Sequence, residues 1–470
     1  MLLTAGMAAA GEAAPGPLNP VVEAEEEVYS YKPANNGAGP MWTHGNTCIV
    51  RVGEEVLASG IETLPDYKPL NNVRWMLFRR LSDGWQLQTR GDGTHEREPC
   101  PMVAFADGRV FLSTNPNACK PEESNGKATP TILEFSARDP KAAGQTLLPQ
   151  WDREIAFHGH TYRSFAADGK RKEFILFYNT AYDRAYWSFR DGKGRWAAQG
   201  ALDFPFGAEY DKPQPVRICY PNVALKDRKV YFCGVSDVVE PYTKWREYKK
   251  QLTGQDWDYD FRRLFFTWSD DITSTGAPGA SDAPSGSDAS PGKFHPWVEI
   301  ATRDKTCGWI FPNDLRVAPD GSVHLLWTER ALDERLREKF FPGEKQSIAL
   351  NYAVVRQGKV VLKQAIQQWT EGEASGERAG EGRFQVTRDG RPFVFYYVGG
   401  HGADGKALSE NRLVEIGRDG ALGTPVRVPL QKPLGSFFTA TPRAGCAPSR
   451  TLDILGETGG TLRYARVRLW

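Results

Sequence analysis

Apolar and polar positions alternate along this chain in short runs, and the runs come in pairs. A short apolar stretch, a tight turn carrying Asp-Gly or a close relative, and a second apolar stretch recur as CIVRVGEEVLASG, PMVAFADGRVFLSTN, YRSFAADGKRKEFILFYN, PNVALKDRKVYFCGVSD, DLRVAPDGSVHLLWTE, RFQVTRDGRPFVFYYV and LDILGETGGTLRYARV. Period-two alternation marks half-buried strands, and Asp-Gly between two such runs is a strong hairpin signal. The turns fall at Gly53, Asp107, Asp168, Asp227, Asp320, Asp389 and Glu457, so the intervals are 54, 61, 59, 93, 69 and 68 residues. Each interval has room for four ordinary strands. A four-stranded sheet cannot bury both faces alone, and its radial repetition predicts an all-β, seven-bladed β-propeller whose first and last copies close the ring. A large β-sandwich and a ring of six or eight blades are the rival folds.

The spacing predicts one propeller domain over residues 40–470, with residues 1–25 a disordered leader. The 93-residue interval holds an insertion: TKWREYKKQL (243–252) reads as an amphipathic helix, and residues 273–293, rich in Ser, Gly, Ala and Pro, as a flexible loop. ALDERLREKFF (331–341) reads as a second helix and EGEASGERAGEG (371–382) as a polar connector.

Composition narrows the function classes. Lys plus Arg number 59 against 58 Asp plus Glu, so no basic footprint for nucleic acid is present. No apolar run reaches the ~20 residues of a membrane span. The seven cysteines have no short spacing, which reads as small packing residues on inner strands rather than a disulfide framework or a zinc ribbon. No P-loop, dinucleotide fingerprint, HExxH or GxSxG is present. The first residues, MLLTAGMAAAGEAAPG, carry no Lys or Arg; they read as a signal remnant or a floppy leader, with a secreted or periplasmic location favoured over a cytoplasmic one.

In a propeller the entries of the innermost strands converge on the axis. Eight residues before the turns stand Pro99, His160, Cys219, Pro312 and Glu381. The next positions hold Tyr220 and Asn313, then Tyr162, Asp314 and Arg383, with His95, His158, Arg217 and Trp309 just upstream and His44 and Asn46 in the first copy. In AFHGHTYRS an extended chain would put His158, His160 and Tyr162 on one face. Such a pair suits acid–base work, strand capping or, least well for want of further ligands at diagnostic spacing, a metal. In VRICYPN, Arg217 suits a carboxylate, Tyr220 a proton transfer and Asn222 a substrate hydrogen bond, unless Arg217 pairs with an acid of the chain and Tyr220 is core. Trp309 suits stacking on a sugar face. DWDYDFRR (256–263) reads as a solvated strand edge, and His401 as part of a turn.

WSFRDGKGRW (187–196) is similar to the Asp-box, a Ser-x-Asp-x-Gly-x-Thr-Trp hairpin: Ser188, Gly192 and Trp196 are kept, the aspartate is shifted to Asp191, and Arg195 replaces the Thr. LSDGW (81–85) is a shorter echo. Over roughly residues 40–470 the chain thus resembles the sialidase-like, BNR-repeat propellers. It resembles their polysaccharide lyases, of the ulvan-lyase and rhamnose–glucuronate-lyase type, more than true sialidases, whose Arg triad and Tyr–Glu pair do not map residue by residue. That resemblance implies β-elimination of a uronate-containing glycan. His160, Tyr220, His95 and His158 are then the candidate catalytic residues. Arg217, Asn222, Tyr162, Arg383, Trp309, Asn313 and Asp314 are the candidate substrate-binding ones. No metal or organic cofactor is required, and the partner is an anionic glycan bound by a monomer. Two rivals stand beside it: a glycoside hydrolase using two of Glu96, Asp314 and Glu381, and a glycan-binding propeller without catalysis.

Overall fold

The computed structural model describes residues 17–274 and 292–470. Most of the 273–293 loop and the first sixteen residues of the expected leader lie outside them. The fold is seven antiparallel four-stranded sheets in a ring, a seven-bladed β-propeller. The inner strands of successive blades are Ile49–Val52, Met102–Ala104, Ser164–Asp168, Ile218–Lys226, Trp309–Val317, Gly376–Val386 and Phe437–Thr439. Each touches the inner strand of the next blade, and the seventh touches the first. The core lies between the blades: Val50, Met102, Phe111, Phe165 and Phe174 are fully covered where the first three meet.

Six of the seven sequence turns join a first strand to a second. The seventh does not. Glu457 lies in the hairpin joining the second and third strands of blade 7, Thr451–Thr458 and Thr461–Arg468, while the first and second are joined by residues 440–450. The helices form at Thr243–Thr253 and Glu334–Phe340, the latter capped by the Asp333 carboxylate, which accepts from the Arg335 N–H. The expected polar connector at 371–382 instead supplies the start of the inner strand of blade 6, because residues 376–379 pair with Val398–His401 ahead of a bulge. DWDYDFRR contributes the short strand Tyr259–Asp260 and the buried Arg262 rather than a solvated edge.

The ring closes through the N-terminal segment. Val21–Ser30 pairs antiparallel with Thr461–Arg468 and is the outermost strand of blade 7. The propeller therefore begins near residue 21, and neither a leader reaching 25 nor a domain starting at 40 fits. Four glutamates in VVEAEEEVYS hide this strand from a hydrophobic pattern, yet Glu23, Glu26 and Glu27 face Arg468, Arg80 and Arg463. WSFRDGKGRW and LSDGW both form turns between a third and a fourth strand. In the first, Asp191 accepts from the backbone N–H groups of Lys193 and Arg195 at 3.0 and 2.9 Å.

Two segments fill the axis. Residues 43–47 cross it from the end where the inner strands begin; there Gly45, at φ +83°, lies so close to the Pro221 carbonyl that a Cβ would sit 2.3 Å from its oxygen. Residues 440–446 enter from the other end. Ala104 and Ala167 donate to the carbonyls of Ala444 and Arg443, and Arg443 donates to Asp314 (2.5 Å), to the Gly45 carbonyl (2.9 Å) and to Asn222 (3.3 Å). The channel is thus a plugged core.

Candidate functional site

Where the inner strands begin, an aromatic cluster caps the plug. Trp42 lies against His160 (5.2 Å between ring centres), Tyr162 (5.5 Å) and Tyr220 (5.9 Å); His44 sits edge-on between Tyr220 (5.2 Å) and Phe311 (4.7 Å); Trp309 stacks on Phe311 at 5.4 Å. Local backbone geometry aims these rings. Tyr162 and Tyr220 have φ of +40° and +48°, in the left-handed region that bulky side chains avoid. Ladder irregularities interrupt the inner strands at Cys219/Asn222, Pro312/Asp314 and Ala379/Gly382, near the cluster. Bulges and strained residues of this kind collect where a side chain must be re-aimed toward a site.

His160 carries the sharpest geometry. Its Nδ1 lies 3.1 Å from Glu98 Oε1, and its side chain is 29 % exposed while that of Glu98 is 4 % exposed. Glu98 also accepts from the Thr161 backbone N–H (2.7 Å) and hydroxyl (2.9 Å). Burial alone would push Glu98 up, but the hydrogen bond and charge of His160, the charge of Arg163 and the Thr161 N–H together hold it below the usual range. A buried carboxylate on one imidazole nitrogen fixes ring and tautomer and leaves the other nitrogen to act. Burial pushes the phenols of Tyr162 and Tyr220 well above their ordinary value, so both stay protonated donors. Burial also pulls His44 down to about 4, leaving a neutral ring.

Arg217 is not free for a substrate carboxylate. Its guanidinium pairs with buried Asp237 at 2.7 Å and lies over Tyr182, Tyr259 and Tyr162 at 4.4, 5.4 and 5.7 Å. Arg383 is likewise tied to Glu381 at 2.9 Å. Asn222, Asn313 and Asp314 are buried in the scaffold: Asn313 bonds Thr328 and the Gly382 N–H, and Asp314 holds Arg443 and the Phe384 N–H. His95 is buried against Tyr67 and Cys119, and burial lowers its pKa. The 156–163 segment is irregular rather than extended, so His158 turns away from His160 to an exposed position beside a cavity of about 610 Å3 between residues 125–127 and 154–158. His160, Tyr162, Tyr220, Arg217 and Trp309 are therefore brought together. His95 and His158 are not.

A cavity of about 330 Å3 opens beside the cluster, with Tyr259, Phe261 and Trp309 on its aromatic side and Arg330, Asp333 and Glu334 on its polar side. Phe261 lies 5.9 Å from Tyr220 and Trp309 belongs to both, so the cavity adjoins the cluster. Sequence reasoning missed Trp42, Glu98 and Asp237. Glu98 stands between Glu96 and Pro99, inside the stretch already weighed, but nothing in the sequence marks it as the partner of His160, 62 residues away. Of the three carboxylates weighed for hydrolysis, Glu96 is sealed against Arg163, Cys100 and the Asn115 N–H, and Asp314 against Arg443, both with side chains 1 % exposed. Glu381 keeps 16 %. Among the described residues no group of three or more His, Cys, Asp or Glu could hold a metal ion, and no helix is long and apolar enough to cross a membrane. All seven cysteines are free and buried, but only Cys219 lies within an inner strand.

No family model and no curated protein matches the chain. Among solved structures it is similar to the α-L-arabinanase of Penicillium chrysogenum complexed with arabinobiose, at 11 % identity and a TM-score of 0.42, over 96 % of this chain and 99 % of that one. The GH93 α-L-arabinofuranosidase of Fusarium graminearum, also with arabinobiose, gives 11 % and 0.41 over 95 % and 98 %. A chain of the mitotic checkpoint complex gives 8 % and 0.43 over 98 % and 100 %. Likeness of this degree carries no argument about activity, and the functional reading rests on the site.

Proposed function

We propose that this propeller is a carbohydrate-active enzyme that hydrolyses a glycosidic bond at the aromatic end of its axis. The observation that carries the reading is the His160–Glu98 pair: a solvent-reaching imidazole held by a buried carboxylate, surrounded by aromatic rings. Rings of Trp and Tyr take up the apolar face of a sugar. In this reading His160 gives its proton to the glycosidic oxygen, and Glu381, part-exposed and close enough for its charge to act on His44 of the cluster, takes the proton of the attacking water. Protonated Tyr220 supplies a hydrogen bond. Elimination is less well supported, because it needs an unpaired cation on the uronate carboxylate, and Arg217 and Arg383 already face Asp237 and Glu381.

The test is incubation with neutral and uronate-containing glycans, reading new reducing ends and the ultraviolet absorbance of an unsaturated product. Hydrolysis gives reducing ends without absorbance. His160→Ala should lower kcat by about 100-fold or more, the range of a lost acid–base group, and leave the fold intact. A rise in absorbance would overturn hydrolysis in favour of elimination. Full activity in His160→Ala would remove the site.

A further inference from the structure

At the other end of the axis, where the inner strands finish, lies a third cavity, of about 250 Å3. It is roofed by the 440–446 plug and walled by Phe384, Val386 and Pro442. Its charged lining is all of one sign: Lys226, Arg316, Arg388 and Arg443 contribute, and no Asp or Glu does. Arg443 is neutralised by Asp314, and Lys226 donates to the Ala318 carbonyl. Arg316 is different. It is 9 % exposed, and its guanidinium makes no hydrogen bond or ion pair among the described residues. The neighbouring Asp320 is engaged elsewhere, accepting from the Ser322 N–H and hydroxyl. His324, its partner across the ladder, is bonded to Tyr352 and Ser322. The stem of Arg316 is buried while its unpaired guanidinium reaches the cavity, where an anion from solution can pair with it. Burial lowers its pKa, in keeping with a cation short of a partner.

We infer that this cavity is a binding site for a compact organic anion, a carboxylate on an apolar body, with Arg316 gripping the charged head and Phe384, Val386 and Pro442 covering the rest. The guanidinium fork matches a carboxylate in two parallel hydrogen bonds, and Arg388 at the rim adds a second positive charge. The site is separate from the aromatic cluster, with the Arg443–Asp314 pair between them. It stands whether or not the glycan reading does.

The test uses benzoate as probe and benzamide as its neutral counterpart, titrated calorimetrically into the full chain at fixed ionic strength. Benzoate should bind saturably, benzamide at least tenfold more weakly, and Arg316→Met should weaken benzoate at least tenfold. Arg388→Met, at an exposed position, should weaken benzoate severalfold and gives a reading even if the first variant folds poorly. Absence of benzoate binding, equal binding of the two probes, or unchanged affinity in both variants would each overturn the site.

Discussion

Glu96 and Glu98, two residues apart and both buried, are driven in opposite directions by their neighbours. Burial raises Glu96 against the charge of Arg163, whereas His160, Arg163 and the Thr161 N–H outweigh burial and lower Glu98. A carboxyl depressed in the folded state adds stability that is present above its ordinary value of 4.5 and lost as pH falls through the folded value. Glu98→Gln should therefore flatten the acid limb of a Tm-against-pH curve; an unchanged limb would show that Glu98 is not the group responsible. His44, lowered by burial to about 4, works in the same sense from its ordinary 6.5 downward, because protonation costs more in the folded chain. His44→Gln should make stability less pH-dependent between about 6.5 and 4. At this scale the sequence showed His160, Tyr162 and Tyr220 by their place before a turn. It could not show that Arg217 is neutralised, because Asp237 lies 20 residues away across the blade 4 hairpin.

The hairpin is the element from which everything is repeated, and its turn chemistry explains how much of the fold was legible. Six Asp-Gly-type turns mark six blades because a tight turn needs small or turn-forming residues wherever its neighbours vary. Blade 7 escaped because its first connection is the 440–450 segment that plugs the axis, so the regular Glu457 hairpin stood in for it one strand late. The bulges that aim Tyr220 and Glu381 were invisible, since an extra residue in a ladder leaves no mark in an alternating pattern. Asp191 offers a direct test of element stability. It is buried and accepts two backbone N–H bonds together with the Arg195 side chain. Asp191→Ala should destabilise by about 1–3 kcal/mol through the amides left without a partner, measured by urea unfolding at an unchanged m-value.

The whole molecule is held as a ring by Val21–Ser30, which closes blade 7 and reaches blade 1 through the Glu26–Arg80 pair at 2.6 Å. A chain shortened to begin at residue 31 should melt well below the full chain and be cut by protease within blade 7. Equal Tm would show that the ring closes without that strand. The same strand has a consequence for biosynthesis. Ser30 and Thr461, which share a hydrogen bond, lie 431 residues apart in the chain. At about 5–20 residues per second of translation, Val21–Ser30 waits for roughly 20–90 s before its partner exists. An apolar strand left that long with open edges would recruit other chains, whereas like-charged side chains repel them. The glutamates that hid this strand from a hydrophobic reading thus set like charges along its open edges for the whole of that interval.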